Sequence, residues 1–367
     1  MSEPSEWLIY RGAGEPHGGI TQLPPPPPWR DFAGRGDNSP HGEGGTDDGR
    51  DGGDGSADRR LGGYRHEAEL HRPGAEELEM INAALYLRRP LLVTGSPGAG
   101  KSTLAHSVAH ELGLGRVLRW PIVSRSALQD GLYHYDAIAR LQDVQLAAHS
   151  AAGTNGAGTN GAGGTDGAGG TDRHDPSADI GSYIRLGPLG TALLPSEQPR
   201  VLLIDELDKS DIDLPNDLLN VLEEGEFGIP ELERIADRLP DGEAEVLTDD
   251  GKKVKIKGGR VQCRAFPFVV LTSNGERDFP APLMRRCIHL ELGRPDHQRL
   301  ATFVRAHLGD EAARAGDDLI IHFLERSRSE LISTDQLLNA IYLTDAAAPA
   351  GRDRLADLLI QRLDRPR

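Results

Sequence analysis

The chain has 367 residues and a formal net charge of −16, from 57 acidic against 41 basic side chains, which disfavours nonspecific attraction of nucleic acid to the surface of one copy. Its two cysteines, Cys263 and Cys287, lack the spacing of a disulfide framework or a zinc site. No apolar run reaches the ~18 to 20 residues that cross a bilayer, and residues 1–10 lack the basic-then-apolar pattern of a signal peptide, so the cytoplasm is the expected compartment.

With 45 glycines and 25 prolines, part of the chain is expected to stay unfolded. Residues 1–61 hold a short apolar scrap, Trp7 to Tyr10, then five consecutive prolines, Pro24 to Pro28, then a tract rich in Gly, Asp and Arg. Such a composition buries too little apolar surface to offset its ordering entropy, so a disordered tail is expected. The proline run reads as a spacer, or as a ligand for an aromatic-lined groove. Tyr64, just ahead of the first helix expected below, reads as a base-stacking ring or as an ordinary domain-edge tyrosine.

Helical spacing predicts a helix from Ala75 to Leu87, and the run Leu91 to Thr94 predicts a buried strand. The next eight residues, Gly95, Ser96, Pro97, Gly98, Ala99, Gly100, Lys101 and Ser102, fit GxxxxGK[ST] without mismatch, and Thr103 to Leu112 continues as a helix. Glycines at those places let backbone N–H groups turn inward on phosphate oxygens while the helix directs its positive end at them. Lys101 is then expected on the β and γ phosphates, and the Ser102 hydroxyl on Mg²⁺.

Residues 116–122 read as a strand and 124–146 as mostly helical, with Tyr133, His134 and Tyr135 an aromatic knot, either core or pore-lining. Residues 151–178 form a near-repetitive, flexible Gly-rich insert, tolerable where a loop leaves from the surface. The aliphatic run Val201 to Ile204 ends in Asp205 and Glu206, the form of a strand buried on both faces with acids at its carboxyl end, where ligands of parallel sheets gather. Asp205 is the candidate magnesium acid opposite Ser102. Glu206 is the candidate base for a water, and a second acid favours hydrolysis over transfer to another substrate.

A helix is expected over 215–224 and onward through 231–239, then a hairpin within 245–263 whose lysines face solvent, or else a phosphate backbone or an acidic partner. Phe266 to Leu271 is a further buried strand ending in Thr272, Ser273 and Asn274, with Asn274 placed to position the water. Arg285 and Arg286 precede a strand at 287–292 and can reach a neighbouring subunit's nucleotide or serve as surface ion pairs. Four helices are expected at 296–308, 317–328, 334–346 and 353–363.

GSPGAGKS, VLLIDE, TSN and LMRRC stand in the order and strand context of AAA+ ATPases, and the chain resembles most strongly their MoxR-like branch, over residues 62–345. The resemblance implies an α/β P-loop NTPase core with a parallel five-stranded sheet over 62–293, then a small α-helical lid over 294–367. It implies ATP and Mg²⁺ as cofactors and a homo-oligomeric ring, commonly hexameric. It also implies a protein partner to be remodelled or loaded, typically one with a von Willebrand factor A domain. Asn274 then matches sensor 1, and Arg286, or Arg285 in its place, the arginine finger. Adenine rather than guanine follows from the family alone. Where relatives begin the third lid helix with an arginine, this chain has Ser333, Thr334, Asp335 and Gln336, a capping box without a cation, which leaves two readings: weaker nucleotide-driven lid closure, or an arginine from elsewhere such as Arg299. Two further readings stand beside the motor: a slow nucleotide-dependent assembly switch in a defence or signalling system, and a GTP-dependent nucleic-acid motor, which the acidic balance disfavours.

Overall fold

The fold comes from a computed structural model that describes residues 7–32, 73–154, 180–327 and 332–346. Tyr64, most of the Gly-rich insert and the expected fourth C-terminal helix lie outside the described residues. In chain order come α1 (Ala75–Leu87), β1 (Leu91–Gly95), α2 (Lys101–Glu111), β2 (Leu118–Pro121), α3 (Leu128–Leu132), β3 (Tyr133–Tyr135) and α4 (Ala137–Thr154). Next are β4 (Ile184–Leu186), α5 (Pro188–Ala192), β5 (Val201–Asp205), α6 (Leu214–Glu224), β6 (Glu226–Gly228) and α7 (Pro230–Glu233). Then come β7 (Glu243–Leu247), β8 (Lys253–Lys257), β9 (Arg260–Gln262), β10 (Phe268–Ser273), α8 (Ala281–Arg286) and β11 (Ile288–Leu292). Three helices follow: α9 (His297–Ala315, bent at Gly309), α10 (Asp317–Ser327) and α11 (Thr334–Ala346).

The main sheet is five-stranded and all parallel, in the order β11-β1-β10-β5-β2. β5 and β10 are buried along their whole length, which is why both read as unbroken aliphatic runs. Pro121 is tolerated because β2 is an edge strand, where a missing N–H breaks no ladder. Register sets Val93 beside Thr272 and Leu271 beside Ile204, so the carboxyl ends of β1, β10 and β5 lie next to one another.

Three expectations are corrected. Tyr133 to Tyr135 is not helical: it is β3, the edge of a second sheet ordered β3-β4-β7-β8. Tyr133 is core there, stacked on Phe227 and donating to Glu231, whereas His134 is exposed. The helix expected to run on through 239 instead stops at Gly225, which takes a φ of 67° and releases the chain into β6, paired with β9. β7 and β8 form the expected hairpin, and its lysines pair across strands, Lys253 with Glu245 and Lys255 with Glu243.

The third correction concerns the N-terminal tail. Residues 7–32 form a strap fitted onto the domain, with Tyr10 fully buried and Ile9, Ile20 and Phe32 in its cores. Tyr10 shares a hydrogen bond with Ser107 of α2, and Asn82 of α1 binds the backbone of Ile9 and Tyr10 through both its amide atoms. The Glu111 carboxylate, fully buried at the end of α2, accepts the N–H groups of Arg11, Gly12 and Gly14. Even the proline run is held, since Arg88 donates to the Pro24 carbonyl. A few side chains placed one by one into prepared partners order a segment whose average composition argues for disorder. Helices α9 to α11 enclose a separate core around Leu300, Val304, Ile320, Phe323, Leu337 and Ile341. Among the described residues no helix is long and apolar enough to cross a membrane.

Candidate functional site

The loop from Gly95 to Gly100 leaves the carboxyl end of β1 and enters α2. Gly100 is the N-cap at φ 86°, a conformation that needs no Cβ, and Gly98 has φ 77°. Gly98 has a second reason to be glycine. A Cβ there would collide with Thr334 at the head of α11, whose hydroxyl donates to the Gly98 carbonyl at 2.8 Å. Ser96, Pro97 and Ala99 are half-buried along the loop, and Ala99 closes a turn onto the Ser96 carbonyl. Lys101 folds back on this loop, its Nζ donating to the carbonyls of Gly95 (2.8 Å) and Ser96 (2.9 Å). Burial lowers the lysine's pKa, and Asp208, Asp205 and Glu206 oppose that shift.

Ser102 and Thr103 open the first turn of α2. The Ser102 hydroxyl donates to Asp205 Oδ1 at 2.8 Å, joining residues 103 apart in sequence. Thr272 Oγ1 donates to the same oxygen and also receives the backbone N–H of Glu206, both at 2.8 Å. Arg119 of β2 reaches Asp205 Oδ2 at 2.6 Å. Burial would raise the Asp205 pKa, but hydrogen bonds from Arg119, Thr272 and Ser102 outweigh it and hold the carboxyl below its ordinary value. Magnesium takes hard oxygen donors and keeps water or phosphate in most of its shell. An ionised carboxylate hydrogen-bonded to a hydroxyl at the mouth of a glycine-lined loop fits that requirement, so Ser102 and Asp205 are the residues that can hold it.

Glu206 sits just past β5 with φ 61°, uncommon for a side-chain-bearing residue, and is held there by Thr272 and the turn over Leu207–Lys209. Its Oε1 lies 3.5 Å from Asn274 Nδ2, the outer limit of a hydrogen bond, and its Oε2 accepts from Lys209 Nζ at 2.7 Å. Asp208, buried, receives the N–H groups of Asn274 and Glu276, and so fixes the loop that carries Asn274.

The structure thus brings Lys101, Ser102, Asp205, Glu206 and Asn274 together. Arg285 and Arg286 stand apart, in the last turn of α8. Arg286 pairs with Glu223 at 3.2 Å, and Arg285 donates to the Ala281 carbonyl. Arg299 is engaged with Glu77 of α1 at 2.9 Å, and the residue of α11 that meets the loop is Thr334. Arg119, Thr272, Asp208 and Lys209 were not singled out from the sequence. Only Thr272 carried a signal, as a polar residue closing an aliphatic strand. His106, one helical turn beyond Ser102, is half-buried: desolvation and Arg119 press its pKa down to about 4, against Asp205.

No protein-family model matches the chain, and comparison with curated proteins returns no match.

Proposed function

We propose that this protein is a cytoplasmic magnesium-dependent ATPase of the P-loop type. In this reading Gly95 to Thr103 cradle the phosphates, helices α9 to α11 act as the lid, and copies assemble into a ring that remodels or loads a partner protein. The observation that carries the reading is the Ser102–Asp205 hydrogen bond, which unites the end of the glycine loop with the acid of β5. The resemblance supplies the rest, including adenine and a partner with a von Willebrand factor A domain.

When ATP enters, Lys101 exchanges two loop carbonyls for β and γ phosphate oxygens, a trade of neutral acceptors for charged ones. Ser102 and Asp205 would hold magnesium, which would supply positive charge against the charge that develops on the phosphates. Asn274 orients a water, Glu206 takes its proton, the water oxygen bonds to the γ phosphorus, and the bond to the β-bridging oxygen breaks to leave ADP and phosphate. Arg286 serves a neighbouring copy's site after leaving Glu223. The test is a pair of variants. Lys101→Ala is expected to abolish nucleotide binding, and Glu206→Gln to retain it while turnover falls about 10²- to 10⁴-fold. Wild-type turnover by Glu206→Gln overturns the assignment of the base.

The Lys209 contact favours a second reading, a slow switch in which the base is held off until a partner intervenes. Both side chains of that pair are 42% exposed, so its restraint is small. Lys209→Met is expected to raise turnover roughly two- to fivefold if the pair restrains the base. Unchanged turnover leaves the switch without its observation.

A further inference from the structure

Asp205 is 7% exposed and both of its oxygens are already engaged: Oδ1 by Ser102 and Thr272, Oδ2 by the Arg119 guanidinium. A buried carboxylate needs a cation or strong donors to remain ionised, and here the cation is internal. Arg119 lies on the edge strand β2, where it pairs with Leu203 of β5 and, among the described residues, has no strand on its other side. Its side chain is 46% exposed, whereas Leu118 and Trp120 on either side are buried. The guanidinium can therefore swing from Asp205 into solvent without opening the core.

We propose that Arg119 is a tethered counter-cation for Asp205, one that a divalent metal must displace from Oδ2 before the acid can serve the metal. This rests on Asp205 as the magnesium acid. Without a metal, Arg119 keeps the acid ionised and Asp205 in place for Ser102 and Thr272. With metal and nucleotide, the arginine moves outward, and the site's apparent metal affinity is the intrinsic affinity multiplied by the fraction of time Oδ2 is free of Arg119. Nucleotide without metal then binds poorly, since its phosphates meet an acid that only the metal can recruit.

The experiment titrates a fluorescent ATP analogue against the full chain at a series of Mg²⁺ concentrations, for wild type, Arg119→Met and Arg119→Lys. A separate titration of Mn²⁺ alone is followed by electron paramagnetic resonance. The proposal expects Arg119→Met to lower the Mg²⁺ midpoint about tenfold or more, the competing cation being gone, with affinity at saturating Mg²⁺ close to wild type. Arg119→Lys retains a cation and is expected to stay near the wild-type midpoint. An unchanged midpoint in Arg119→Met overturns the proposal. Weaker binding of Arg119→Met at saturating Mg²⁺ also overturns it, because the arginine would then be a phosphate ligand. If wild type binds no nucleotide at any Mg²⁺ concentration, the ATPase reading fails by itself. Mn²⁺ alone then decides the counter-cation, tighter binding by Arg119→Met supporting it and equal binding overturning it.

Discussion

Thr272 serves both acids at once, donating to Asp205 Oδ1 and receiving the Glu206 N–H. Its removal leaves a carboxylate short of a donor and a backbone N–H without an acceptor. Thr272→Val, nearly the same shape, is therefore expected to lose about 1–3 kcal/mol in chemical denaturation, with Thr272→Ser restoring most of it. His106 gives a pH signature. With its folded pKa at about 4 against the usual 6.5, the unfolded chain binds the extra proton between those values. The resulting stability is complete above pH 6.5 and is lost as pH falls from there towards 4, by about 3 kcal/mol in total. Denaturation midpoints across that window should slope in wild type and flatten in His106→Gln. At this scale the candidate site was legible where spacing is local. GxxxxGK[ST] spans eight residues, and the paired acids end one strand. Arg119 and Thr272 reach Asp205 from separate strands, and the pairing that brings them together leaves no mark on neighbouring residues.

Among the elements, the strap of residues 7–32 shows most clearly how composition misleads. Its glycines and prolines predict disorder, yet the Glu111 carboxylate gathers three backbone N–H groups there, one at 2.6 Å, with His17 Nε2 3.2 Å away. Further along, Arg30 is buried against Phe32 and Phe266, whose rings stack on each other, and donates to the carbonyls of Arg88 and Leu222. The hydrogen-bond partners lie up to 192 residues away, so only the folded domain makes the segment's order visible. Glu111→Gln turns an amide N–H₂ towards those donors and is expected to cost about 3 kcal/mol, read as a lower denaturation midpoint at unchanged slope. The buried strands were read well because β5 and β10 are covered on both faces, whereas three-residue strands such as β3 and β6 are too short to show a period.

For the whole molecule, one parallel sheet collects the ends of β1, β5 and β10, and a helical unit is seated on the glycine loop through Thr334 and Gly98. That contact joins the C-terminal helices to the loop that, in the ATPase reading, would hold the phosphates. In the ATPase reading, the exposed position of Arg286 beside Glu223 means that one copy does not complete its own site. The decisive measurement is steady-state ATP hydrolysis by the full chain as a function of protein concentration, with GTP and Arg286→Ala alongside. Specific activity that climbs with concentration, prefers ATP and collapses by about 10³-fold in Arg286→Ala is the predicted result. Turnover that is independent of concentration and untouched by Arg286→Ala would contradict the shared-site ring, and no turnover at any concentration would contradict the ATPase itself.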